Sequence, residues 1–161
     1  MIAEPTKEHA WLKRFVGEWT MQGECVMEPG KPPAKSSGRE RVRMLGDLWI
    51  VGESTMELPG GGGTMDAILT LGFNPATGKF IGSWVGGCMP TMFVYEGELD
   101  QAQRVLPLNT TGPSFSDPSR QARYQDVVEL HSDNKRLLWS QCQDEKGAWQ
   151  RFMSATYTRV K

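Results

Sequence analysis

The chain is poor in the residues that usually announce chemistry. Among 161 residues there are two histidines and three cysteines. Cys25, Cys88 and Cys142 are odd in number and far apart, and no pair has the C-x-x-C spacing of a metal site. His9 and His131 have no third ligand near them in sequence, so no metal site is expected. Neither sign of charge dominates. Eighteen basic and 19 acidic residues are interspersed, with a net charge of −1. That removes the electrostatic case for a nucleic acid or an anionic membrane surface as partner. No apolar run approaches the roughly 18 residues of a membrane span. The opening MIAEPTKEHAWLKRF lacks the apolar core of a secretion signal. A cytoplasmic protein with reduced thiols is the expectation. There is no G-x-S-x-G nucleophile elbow. The glycine run of PGGGG (59–63) lacks the Lys-Ser/Thr of a phosphate loop.

What the chain does have is punctuation and bulk: 18 Gly, 10 Pro, 9 Met and 6 Trp. Frequent Gly and Pro divide it into short elements, the mark of an all-β protein. Its length fits one domain, residues 1–161. One helical pattern is convincing, over 5–16. Trp11, Leu12, Phe15 and Val16 make one apolar face, Pro5 or Thr6 starts the helix and Gly17 stops it. From Gly17 the period changes to two. Ten strands are predicted, over 18–28, 39–46, 47–58, 64–73, 80–86, 91–99, 103–111, 121–132, 135–143 and 148–159. The segment 29–38 is predicted as a loop, and Pro107 marks an edge or irregularity in the seventh strand.

Sequential strands usually pair, and a sheet of ten twisted strands closes on itself. The predicted fold is therefore a single antiparallel up-and-down β-barrel over 17–160, with a short N-terminal helix and room for an internal cavity.

Gly17-x-Trp19, just after a short helix, resembles the entry to the first strand in calycin barrels: the lipocalins, fatty-acid-binding proteins and nitrobindins. The resemblance implies a structural plug in which Trp19 closes one end of the barrel. A basic residue of the last strand, Arg159 or Arg151, would lie over its ring. Over about Lys7 to Val160 the segments KEHAWLKRFVGEWT, LGDLWIVGE, TLGFNPATGKFIGSW and FMSATYTRV are similar to the bacterial proteins grouped as domain of unknown function 1579. That family brings a fold and no catalytic residues. A nitrobindin-like barrel would imply haem on a histidine near the C-terminus. The last strand has none and His131 would have to substitute, so no cofactor is expected.

Trp49, Trp84, Tyr95 and Trp139 fall on four different predicted strands and are the expected lining of a cavity, with Met56, Met92 and Met153 near them. Arg43 or His131 would orient a polar group, and Glu53 is a further candidate in the lumen. Arg39, Arg41 and Arg43 share one face. They would suit an acidic head if they pointed inward, but the apolar Val42 and Met44 lie on the opposite face. The leading expectation is a barrel that binds a small, largely apolar ligand. A second is an enzyme using Glu53 or His131 as acid or base. A third is an interaction module whose outer face pairs with another protein or a second copy, giving a homodimer. Cys88, in a Gly-flanked loop, is expected to be a bystander thiol.

Overall fold

A computed structural model describes residues 1–26 and 28–161. It contains one short helix, α1 (Lys7–Lys13), and ten strands. The strands are β1 (Gly17–Cys25), β2 (Ala34–Leu45), β3 (Trp49–Glu57), β4 (Thr64–Asn74) and β5 (Lys79–Gly86). They continue with β6 (Phe93–Gly97), β7 (Val105–Pro113), β8 (Gln121–Ser132), β9 (Lys135–Gln143) and β10 (Trp149–Arg159). Each strand pairs antiparallel with its neighbours in sequence, and β1 closes the barrel against β10. The predicted up-and-down barrel is the observed fold. Closure leaves no free strand edge.

Several boundaries move. The helix is shorter than 5–16. Thr6 is its cap residue, and the backbone after Lys13 tightens into i→i+3 bonds from Arg14, Phe15 and Val16. The first strand ends at Cys25; the rest of its predicted extent includes Met27, which lies outside the described residues. The predicted loop 29–38 is too long, because Ala34–Gly38 already belong to β2, paired to Met21–Cys25. The glycine run forms a single tight turn at Pro59–Gly61.

Inner and outer faces follow from register. Trp19, Met21 and Gly23 of β1 face in, opposite Tyr157 and Ala155 of β10 and Ser36, Gly38 and Glu40 of β2. The same parity runs round the barrel to Leu71, Phe80, Tyr95, Leu106, Leu108, Val128 and Leu130. The seam between β6 and β7 is the weakest, with one register pair, Glu96 with Asn109. Pro107 sits beside it, as an irregular strand requires.

The helix lies across one end. Trp11, Leu12 and Phe15 are buried there against Phe80, with Trp11–Phe15 and Trp11–Phe80 edge contacts at 5.2 and 5.6 Å. The Trp11 Nε1–H donates to the Gln103 carbonyl at 2.7 Å. His9 is structural. Its Nδ1 accepts the Thr6 N–H at 2.9 Å, which leaves Nε2 to donate to the Phe73 carbonyl at 3.2 Å. The helix is thereby fixed to the β6–β7 connection and to β4.

Candidate functional site

The closed end explains the Gly17-x-Trp19 spacing. Trp19 is 1% exposed, and its Nε1–H donates to the Phe15 carbonyl at 2.8 Å. Arg159 lies 4.3 Å from the centre of its ring. The same guanidinium donates to the carbonyls of Val16, Arg14 and Asp133, at 2.5, 2.7 and 2.7 Å. Gly17 has φ of +141°, and a Cβ there would come within 2.3 Å of Arg159 Nη1 and 2.4 Å of the Lys161 carbonyl oxygen. Only glycine permits both the backbone turn and the arginine. Arg151 is not part of this plug. It stacks 4.7 Å from the Trp139 ring elsewhere on the barrel.

Above Trp19 sits a buried ion pair. Arg136 of β9 and Glu40 of β2 face each other across the floor, with side chains 4% and 7% exposed. Phe15, Trp19 and Tyr157 surround the guanidinium, their ring centres 5.1, 4.8 and 4.1 Å away. Arg136 Nη1 has no hydrogen-bond partner among the described residues, so aromatic faces take the place of an acceptor there. Gly52 makes the space, since a Cβ there would meet Glu40 Oε2 at 3.0 Å. Burial pushes the Tyr157 hydroxyl well above its usual pKa. The Glu40 carboxylate adds to this and Arg136 opposes it.

The other half of the lumen is different. Its inward positions carry small residues on several strands: Gly23, Ser36, Gly38, Ser54, Ala67 and Ser140. One wall is aromatic. Trp84 contacts Phe93 at 5.9 Å, Phe93 contacts Tyr124 at 6.2 Å, and Phe115 and Phe152 join Tyr124 at 5.5 and 6.1 Å. Phe115, in the β7–β8 connection at the open rim, is 70% exposed. The Tyr124 O–H donates to the Pro113 carbonyl at 2.5 Å, and burial pushes its pKa up to about 12. Cys88 lies at the same rim, its Sγ 3.0 Å from Met65 Sδ.

Inside this chamber lies one acidic group, Asp126 of β8. The Ser140 O–H donates to its Oδ1 at 2.5 Å, and the Tyr95 O–H donates to its Oδ2. Burial raises the Asp126 pKa above the usual carboxylate range, against the opposing pull of the two hydroxyls. Burial and the facing Asp126 charge push Tyr95 well above its own usual value.

Of the residues expected to line the lumen, Trp84 and Tyr95 face it. The others do not. Trp49 precedes the inward Ile50, so its ring lies outside, across Gly72. Trp139 has the outward parity of β9, under Arg151. Arg43 and Glu53 are exposed on the outer wall, as are Arg39 and Arg41. His131 is exposed in a bulge between Leu130 and Ser132, at the plugged end and away from the chamber. It is not placed to ligate a group in the lumen, and neither it nor Glu53 is placed to act as acid or base there. A depression of about 430 Å³ on the outer wall is lined by Gln22, Glu24, Lys35, Trp139, Arg151 and Thr156. It carries no buried polar group.

Sequence reasoning missed Asp126, Ser140, Glu40, Arg136 and Phe93. The signal for three of these was present. Asp126 interrupts the apolar face Ala122-Tyr124-x-Val128-Leu130, Arg136 heads the face of Leu138, and Glu40 shares a face with Val42.

The fold defines a class: a closed ten-stranded antiparallel barrel with a short helix across one end. The chain belongs to the family described as protein of unknown function DUF1579, matched over residues 4–159. No curated protein matches it. Rv2717c from M. tuberculosis superposes with a TM-score of 0.67 at 12% identity, over 98% of this chain and 100% of that one. The S-type phycobiliprotein lyase CPES from Guillardia theta gives 0.57 at 12% identity, over 97% and 93%. At these identities the likeness is one of fold alone. Among the described residues no helix is long and apolar enough to cross a membrane.

Proposed function

We propose that the upper chamber binds a small, largely apolar ligand. The observation that carries this reading is residual exposure on an inner face. Ser54, Met56, Trp84, Phe93, Asp126, Leu138 and Cys142 all face inward in a closed barrel, yet none is fully buried. Side chains in that position are wetted where the interior is incompletely filled or open at the rim. At the plugged end, by contrast, Ile50, Leu71, Phe80 and Leu106 are at most 1% exposed. Aromatic walls with a few polar groups are the usual lining of a ligand pocket.

The test is titration with N-phenyl-1-naphthylamine, a neutral apolar dye that brightens when desolvated. Saturable brightening is expected, with quenching of Trp84 by energy transfer. Ser54→Phe, which fills the chamber, should abolish both. Binding that survives this substitution would place the dye on the outer surface and remove the reading.

A second reading is self-association through the outer face of β4–β6. Ile68 and Val94 there are 44% and 64% exposed, with Val85 between their strands. Light scattering coupled to size exclusion tests it. A dimer that dissociates on Val94→Glu supports it, and a monomer at high concentration removes it.

A further inference from the structure

The lumen holds two carboxyl groups, and they are provided for differently. Glu40 has its own cation, Arg136, bound to it beneath the floor. Asp126 has only hydroxyl partners, Ser140 and Tyr95. Each carboxyl oxygen has two lone pairs, and each oxygen of Asp126 is given one of these donors, so acceptor capacity remains. Among the described residues, no salt bridge reaches Asp126.

The rest of the inner surface supplies no cation either. The inward positions of β1 to β8, from Trp19 round to Leu130, include no Lys, Arg or His. Arg136 faces inward on β9, four residues before Ser140, and its charge is bound to Glu40. Arg159 belongs to the plug. Arg39, Arg41, Arg43 and Arg151 are exposed on the outer wall. An anionic ligand would therefore meet a carboxyl and no counter-charge. Arg39, Arg41 and Arg43 face outward and Val42 inward, as the apolar pattern of β2 implied.

We infer that the chamber is built for a ligand with a protonated nitrogen, seated on Asp126 with its apolar body against Trp84, Phe93 and Tyr124. This rests on the proposed role of the chamber as a binding site. A cation supplies what the buried carboxyl lacks, and a charge-assisted hydrogen bond in an apolar site is the strongest contact available to a small ligand there. Tyr95 and Ser140 act as positioning residues. Their hydroxyls hold the carboxyl in one orientation, with its remaining lone pairs free for the ligand. Aromatic faces beside a cationic head add a favourable electrostatic contact. The chemical class is thus a hydrophobic amine or amidine, and fatty acids are disfavoured.

The test uses three probes of one shape: 1-naphthylmethylamine, 1-naphthylmethanol and 1-naphthylacetic acid. Each is titrated at pH 7 into the wild-type protein and Asp126→Asn, following the Trp84 indole N–H by NMR. Asparagine keeps the shape: its carbonyl oxygen accepts from one of the two hydroxyls and its amide N–H donates to the oxygen of the other. In the wild type the amine should bind at least about tenfold more tightly than the alcohol, the scale of a hydrogen bond to a charged group, with the acid weakest. Asp126→Asn should remove the amine's advantage and leave the alcohol within about twofold. Ser140→Ala, which keeps the carboxyl, should retain the preference. The wild-type comparison is decisive even if a variant fails to fold. Amine and alcohol binding equally, or a preference that survives Asp126→Asn, overturns the inference and leaves the chamber as a neutral apolar site. No response of Trp84 to any probe in the folded protein overturns the chamber reading itself, and the inference with it.

Discussion

The two ends of this barrel are made from the same alternating strands and behave oppositely. At the plugged end, large side chains meet. Leu12, Phe15, Trp19, Phe80, Leu71 and Leu106 interdigitate to near-zero exposure, and even the ion pair there is enclosed. At the open end several inward positions shrink to Gly, Ser and Ala, interspersed with Met56, Met65, Leu138 and Met153, and the aromatics stand on one wall. The difference is one of side-chain volume at inward positions of the same strands. Stability is concentrated where the lumen is filled.

The sharpest way to break this division is at the ion pair. Arg136→Ala should cost about 3–5 kcal/mol in denaturant unfolding, because it strands a buried carboxylate and empties the space between three aromatic rings. Replacing both partners, Arg136→Met with Glu40→Met, should recover much of that loss. If the single variant is as stable as the wild type, the floor is not a sealed structural layer. The next largest contrast comes from matched leucines. Leu71→Ala in the floor should cost about 2–5 kcal/mol, since the site is fully buried and tightly surrounded. Leu138→Ala, facing the chamber, should cost less than about 2 kcal/mol, because that side chain is already partly wetted. Equal costs would mean that the chamber is as filled as the floor. Gly17→Ala comes third, at about 1–3 kcal/mol, through the positive φ and the displaced Arg159. Its signature is loss of the Arg159 contact to Trp19, visible in the fluorescence of that residue.

The fold was legible because its signals are local. The change of period at Gly17, the turn at Asn74–Gly78 and the regular spacing of strands all act within a few residues. Gly78 has the positive φ that its turn requires, and the Asn74 side chain accepts from the Ala76 N–H. The site was less legible because it depends on parity and on partners far apart in sequence. Conspicuous aromatics on separate strands suggested a lining, but one residue of register decides between lumen and solvent. Ile50 and Ser140 take the inner positions, so their neighbours Trp49 and Trp139 go outside. Arg43 and Glu53 follow the same rule. Asp126 was hidden for a different reason. Its significance comes from Tyr95 and Ser140, 31 and 14 residues away, and from the lack of a salt-bridge partner among the described residues, the inward Arg136 of the neighbouring strand being bound to Glu40.

The smallest expected effect tests the chamber through its unpaired acid. The Asp126 pKa is raised in the folded state by burial. Below the unfolded value of about 4 the group is protonated in both states and contributes no pH dependence. As pH rises past that value, the unfolded chain releases the proton first. The folded state then binds more protons than the unfolded state, and stability falls with pH until the folded group also ionises. Asp126→Asn removes the titration. Its stability relative to wild type should therefore improve between about pH 4 and neutrality, measured by urea unfolding across that range. Tyr95 and Ser140 remain as partners in both proteins, and the Arg136–Glu40 pair beneath is common to both, so the difference reports on Asp126. A difference that is flat with pH would mean that the carboxyl is as well solvated as one on the surface. The upper half would then be open water rather than a chamber that desolvates what enters it.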